Sequence, residues 1–331
     1  MRRITPLLPE VTAALPSVVS PAPSCITRVR PINGTSDVAV LSLGRRRERP
    51  FAVVKLPVTE AAREELAKQQ KVLELLRADS RLGEWRNLLP RSRLCDTGPD
   101  TFAVEGSIPG VTAAHLLARR PSLRPWVAWS GLAAIRDLHQ RTTRLSHIEA
   151  QAIDRWLAEP ITLLRTIHPS GHVAPTQVAA AAMIECRIRE SIVGRPLAQS
   201  WVHGDFTPGN VMLTEDASRV AGVIDWGQAS PCGVPSLDAL LWILTIYADD
   251  RSMPLGRLTR SALTWSVWPK DDPVLRLACD PIADSGVDHG TLVLLCWLNH
   301  VADNLRNTQR YSKYPWWWAA NVEPVLEAVG Q

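Results

Sequence analysis

The sequence contains no C-x-x-C pair: its six cysteines, Cys25, Cys95, Cys186, Cys232, Cys279 and Cys296, are scattered singly. That spacing excludes a compact zinc site and a disulfide framework, and points to free thiols in a reducing cytoplasm. Long apolar runs are missing too. The longest, around TLVLLCWL at 291–298, is too short to span a bilayer, so no membrane partner is expected. Nor does one sign of charge dominate, since 37 Lys and Arg against 33 Asp and Glu leave a formal charge of +4 over 331 residues. The most basic part is the first fifty residues, where RRRER at 45–49 stands without interleaved aromatics. It reads as a solvated turn between strands, and nucleic acid is not expected as a partner. The opening MRRITPLLPEVTAALPSVVSPAPSC lacks the unbroken apolar segment of a secretory signal, because Glu10 and five prolines interrupt it. Residues 1–24 are therefore expected to form an irregular leader lying on or near the rest of the fold.

What is present is an ordinary globular composition, 46% apolar and 21% charged, in a chain long enough for two lobes around one cleft. The first third reads as strands. SCITRVRPI, VAVLSLG and FAVVKLP are short β-branched runs separated by NGTSD and RRRERP, the pattern of a small antiparallel sheet. At 58–78 the period changes: Leu66, Val72, Leu73 and Leu76 recur at helical spacing behind Thr59, a candidate cap. Strand-like SRLCDTG (92–98) and TFAVEGSI (101–108) follow, and beyond PGVTAAHLLARR the chain reads as mostly helical. Segments 125–142 and 239–248 are the clearest helices, and 145–200 is expected to be largely helical. Two short β-rich segments, 201–213 and 219–230, interrupt this second part.

The stretch WVHGDFTPGNVML (201–213) sets a histidine, an aspartate and an asparagine in a tight polar knot between apolar flanks. Asp205 and Asn210 stand five apart in H-G-D-x-x-x-x-N. Asp225 follows at the end of the apolar run AGVI, and Lys55 ends the run AVVK. Phosphoryl transfer from a nucleotide asks for this set. A carboxylate must take the proton of the attacking hydroxyl, oxygen ligands must hold magnesium, and a lysine must meet the phosphates. Isolated, each residue has a plainer reading as a turn former or cap; together and in this order they point to chemistry.

HGDFTPGN resembles the catalytic loop of the aminoglycoside phosphotransferase family, VIDW its metal-binding strand end, and FAVVK its phosphate-binding lysine. AVEGSIPG (103–110) is similar to the family's hinge, and GVPSLDALLWI to the segment after the metal aspartate. The resemblance covers roughly residues 30–245. It implies an α+β, bilobal, protein-kinase-like fold, with a small antiparallel-sheet N-lobe (25–105) that binds nucleotide. A larger, mainly helical C-lobe (106–331) would carry the catalytic loop and the substrate site. It implies Asp205 as catalytic base, Asn210 and Asp225 as ligands of Mg2+, and Lys55 on the phosphates of ATP or GTP. Gly34, Thr35 and Ser36 are expected in the phosphate-facing turn, and the backbone near Glu105 and Ser107 is expected to meet the base. His203 and Asp238 are expected to support the loop structurally, while His115, His139, His289 and His300 carry no ligand spacing.

One departure stands out. The family places a glutamate on the first helix to hold the lysine, and here Gln69 occupies that position, facing the sheet. Glu65, one turn earlier on the same face, is expected to pair with Lys55 instead. The missing carboxylate leaves a second reading open, a nucleotide-binding module without turnover. The substrate is expected to be a small hydroxylated molecule. Acidic residues at 249–250, 271–272, 280, 284 and 288 interleave with Arg251, Arg257, Arg260, Lys270 and Arg276, so no polycation site follows. Trp316, Trp317 and Trp318 near the C-terminus are expected to pack the last helix.

Overall fold

A computed structural model describes residues 5–21, 23, 25–32, 37–98, 100–250, 253–264, 286–307 and 309–330. Five antiparallel strands form the first sheet: β1 (Arg28–Ile32), β2 (Val38–Gly44), β3 (Ala52–Pro57), β4 (Ser92–Asp96) and β5 (Thr101–Gly106), in the order β1-β2-β3-β5-β4. Strand alternation sorts its two faces. Val54, Leu56, Phe102 and Val104 join Leu41 and Leu43 in a core on one side. Lys55, Ala103 and Glu105 point to the other, with Lys55 opposite Ala103 in the β3–β5 register.

The first face is covered by α1 (Leu8–Val18), which contributes Val11, Ala14, Leu15 and Val18. The leader is thus a helix rather than an irregular segment. Pro9 lies in the first turn, where its missing N–H costs no hydrogen bond, and Pro16 falls in the last turn. Burial of the i, i+4, i+7 stripe outweighs what remains of the proline penalty. Gly106 admits the end of this helix, since a Cβ there would collide with the Val18 carbonyl. The opposite face is covered by α2 (Glu60–Ala78), capped by Thr59, whose hydroxyl accepts from the Ala62 amide at 3.2 Å. It buries Leu66, Gln69, Val72, Leu73 and Leu76.

The remainder is mainly helical. After β6 (Val111–Thr112) come α3 (Ala113–Arg119), α4 (Arg124–Thr142), β7 (Arg144–His147), α5 (Ala150–Thr166), α6 (Pro175–Ile192) and β8 (Pro196–Val202). Then follow β9 (Val211–Leu213), β10 (Val220–Val223), β11 (Ser230–Gly233), α7 (Pro235–Asp250), α8 (Leu255–Thr264) and α9 (His289–Asn307). Three short helices close the chain, α10 (Gln309–Lys313), α11 (Pro315–Asn321) and α12 (Glu323–Gly330). One large core runs through these elements and fully buries Trp226, Trp242, Trp297 and Trp318. Trp317 is buried as well and Trp316 is exposed, so the tryptophan cluster does pack the end of the chain.

Two small sheets hold the polar knot. One has the order β11-β8-β7 and the other β10-β9-β6. The stretch 145–200 therefore contains strand as well as helix, because β7 and β8 pair with each other across the two helices between them. RRRER does form the turn between β2 and β3; from it Arg49 reaches Glu215, in the turn after β9, at 2.7 Å.

Candidate active site

The knot begins where β8 ends and closes where β9 begins, so its two ends are fixed in different sheets. Asp238, in the first turn of α7 and 1% exposed, anchors its start. It accepts from the backbone amides of His203 (2.7 Å) and Gly204 (2.9 Å), and meets His139 Nε2 at 3.1 Å. Gly204 has φ +83° and a neighbouring Gln228 carbonyl that leaves no room for a Cβ. The His203 ring is fully buried and committed at both nitrogens. Nε2 donates to the Ile224 carbonyl at 2.9 Å, which leaves Nδ1 to accept from the Asp205 amide at 3.2 Å. This histidine holds two loops together and has no lone pair left for a substrate proton.

Asp205 emerges from that frame with its side chain about a third exposed, at 35%. The Asn210 amide donates to its carbonyl at 2.9 Å and to its carboxylate at 2.8 Å. Both N–H bonds of that amide are thereby used, and its oxygen remains an acceptor. The Asn210 carbonyl in turn accepts from the Ile224 amide at 2.9 Å, which joins the knot to the next loop. There Asp225 sits in a left-handed conformation (φ 67°, ψ 62°) with its side chain exposed. Asp225 lies 3.6 Å from Lys55 Nζ. Lys55 is also 3.1 Å from Glu105 and 3.3 Å from Gln69 Oε1. Burial alone would lower the pKa of this ammonium, but the Glu105 and Asp225 carboxylates outweigh it and hold the pKa above its ordinary value.

Helix α9 forms a further wall. His300 Nδ1 stands 3.9 Å from the Asp205 carboxylate. Burial lowers the His300 pKa against the pull of Asp205. Three residues on, burial pushes Asp303 up to about 7, opposed by Arg306 and reinforced by Asp205. Arg306 binds Glu159 with two nitrogens (2.7 and 2.8 Å), Asp303 at 2.7 Å and Gln228 at 3.4 Å.

The sequence profile of the phosphotransferase enzyme family (APH) matches residues 28–273, well over half of the chain. The chain belongs to this family. No curated protein sequence matches it significantly. Among solved structures, it is similar to a thermostable mutant of aminoglycoside phosphotransferase APH(4)-Ia, with 16% identity, a TM-score of 0.54, and coverage of 92% of this chain and 96% of that one. An aminoglycoside-3'-phosphotransferase of type VIII gives 19% identity and a TM-score of 0.52, covering 83% and 93%. The enzyme APH(3'')-Id of Streptomyces rimosus, in complex with ADP and streptomycin, gives 14% and 0.50, covering 90% and 99%. These likenesses establish the fold, α+β and protein-kinase-like, for a phosphotransferase-family protein.

Within this family member, the structure brings Lys55, Asp205, Asn210 and Asp225 into one connected set. The expected pairing of Glu65 with Lys55 does not occur. Glu65 instead accepts from Gln228 Nε2 at 3.2 Å, next to Gly227, and burial pushes its carboxyl up. It lies one turn nearer the start of α2 than Gln69, which takes the contact with the lysine. Glu105 is found with its side chain on Lys55. Ser107 donates its N–H to the Phe51 carbonyl at 2.9 Å, so that donor is not open to a purine. Gly34, Thr35 and Ser36 lie outside the described residues, as do acidic positions 271, 272, 280 and 284. His139, expected to be ordinary, meets the anchoring carboxylate of Asp238. His300, Asp303 and Arg306 were also missed. Their signal is a polar i, i+3, i+6 stripe on a helix whose other face is apolar.

The donor set suits a magnesium ion. Asp225 offers an exposed carboxylate and Asn210 a free amide oxygen, two hard ligands of the kind magnesium accepts alongside phosphate oxygens and water.

Proposed function

We propose that the protein is a small-molecule kinase that transfers the γ-phosphate of ATP or GTP to a hydroxyl of its substrate. The observation that carries this reading is the connected path from Asp205 through Asn210 and the Ile224 backbone to Asp225 and Lys55. As the acceptor oxygen attacks the γ-phosphorus, its proton passes to the Asp205 carboxylate, and the nucleoside diphosphate departs with the electrons of the broken P–O bond. Asn210 orients that carboxylate, and Lys55 holds the phosphates. Asn210 and Asp225 would hold magnesium, which when bound offsets charge on the phosphate oxygens. The N-lobe (25–105) then serves the nucleotide, α1 of the leader (1–24) braces its sheet, and the C-lobe (106–331) presents the acceptor. A cytoplasmic setting, where nucleotide and free thiols coexist, fits the free cysteines among the described residues.

Solved relatives named for aminoglycosides include one bound to streptomycin and ADP. For this chain the acceptor class proposed is broader: a small hydroxylated molecule reaching Asp205 beside His300. The module without turnover was motivated by the absent helix carboxylate, and Glu105 supplies a carboxylate to Lys55 in its place. The test is phosphate transfer across a panel of hydroxylated metabolites and antibiotics with ATP, GTP and Mg2+. Asp205→Ala is expected to cut the rate by about 10²–10⁴-fold with folding intact. A variant as active as the parent would remove Asp205 as the base.

A further inference from the structure

We propose that Glu105, on strand β5, is the positioning carboxylate for the phosphate-binding Lys55, with Gln69 of α2 as a neutral bridge between them. This deepens the kinase reading and rests on it for the role of Lys55. Lys55 is 9% exposed and Glu105 5%, so the ammonium is stable only with a partner at hand. Two carboxylates are within reach, and they differ in kind. Asp225 is 3.6 Å away, its side chain 57% exposed and suited to magnesium. Glu105 is 3.1 Å away and buried. Once a cation claims Asp225, Glu105 is the carboxylate left to hold the lysine.

Gln69 is 4% exposed and uses both ends of its amide. Its oxygen accepts from Lys55 Nζ at 3.3 Å and its nitrogen donates to Glu105 at 2.7 Å. The reverse orientation would set N–H groups against the ammonium and an oxygen against the carboxylate, so the two charges fix the amide. A glutamate at 69 would instead press a second carboxylate on Glu105 in a buried site. An amide on the helix and an acid on the strand are therefore one matched choice. Glu65, the neighbouring acid on α2, is committed to Gln228.

The location of the charge has a mechanical result. Lys55 and Glu105 stand on adjacent strands in fixed register, with Ala103 directly opposite Lys55. The charged partner of the lysine is thereby set by the sheet itself, and α2 contributes only the neutral amide of Gln69.

The experiment has two arms. In nucleotide-free protein, thermal unfolding is measured for Lys55→Met, Glu105→Gln and the pair combined. Glu105→Gln is expected to lower the midpoint by stranding the ammonium, and adding Lys55→Met to recover much of the loss; additive effects would overturn the pairing. In the second arm ATP affinity is measured by calorimetry. Glu105→Gln is expected to weaken it by about 10–100-fold, by analogy with groups that orient a ligand-binding side chain. Gln69→Glu combined with Glu105→Gln, which returns one acid and one amide to exchanged positions, is expected to restore it. Unchanged affinity in Glu105→Gln, or no rescue by the exchange, would overturn the positioning role. If the unaltered protein binds neither ATP nor GTP while the stability coupling holds, the pairing stands and the kinase reading fails.

Discussion

Asp238 gathers three donors around one buried carboxylate: the amides of His203 and Gly204 and the ring of His139. Asp238→Ala leaves them unpaired, at about 1–3 kcal/mol for each group that stays buried. Urea unfolding is expected to show a loss of a few kcal/mol in that variant, and activity should fall with it as His203 loosens under Asp205. A variant as stable as the parent would mean that water replaces the carboxylate. At this scale the chemistry was legible where it was local. Asp205, Asn210 and Asp225 lie within 21 residues of one another, and their chemical types at that spacing have few other uses. Glu105 was not legible as the partner of Lys55. The two are fifty residues apart, and only the β3–β5 register brings their side chains to one face.

Elements carry information that single residues do not. In α9, an apolar run gives way to His300, Asp303 and Arg306, which turn one helical stripe toward Asp205, Gln228 and Glu159. Periodicity marks such a stripe, yet nothing in the helix alone says what it faces. Asp303 offers a measurement. Its carboxyl is raised to about 7, against about 3.9 in an unfolded chain. The folded state thus holds the proton more tightly, so its contribution to stability declines as pH rises between those values and levels off above them. Asp303→Asn is expected to remove that decline from urea unfolding curves taken across the window. An identical pH dependence in both proteins would show that Asp303 titrates as an ordinary carboxyl. The misread leader has a similar origin. Pro9 lies in the first turn of α1, where its missing N–H costs nothing, and burial of Val11, Leu15 and Val18 offsets the bond that Pro16 lacks.

At the scale of the molecule, the buried apolar residues form two clusters, a small one between α1 and the first sheet and a large one that runs from α2 through the helical remainder. The smaller depends on α1, so Leu15→Ala is expected to cost about 2–5 kcal/mol. Because that cluster is separate from the larger one, which also holds α2, the cost should appear in calorimetry as an earlier melting of α1 and the first sheet, with the main transition little moved. A single transition shifted as a whole would show instead that the two clusters melt together. The bilobal plan was legible from the change of period near residue 106. The strands β7 and β11 were not, since each is four residues long and exists by pairing with β8.

Trp226 follows Asp225 directly in the chain, is fully buried, and lies 4.6 Å from the His203 ring. None of the five strands of the first sheet carries an indole, and Trp226 is one of thirteen in the chain. Trp226 is thus an optical probe at the point where the cation is expected, and its share of a magnesium-dependent change in intrinsic fluorescence is read by comparison with Trp226→Phe.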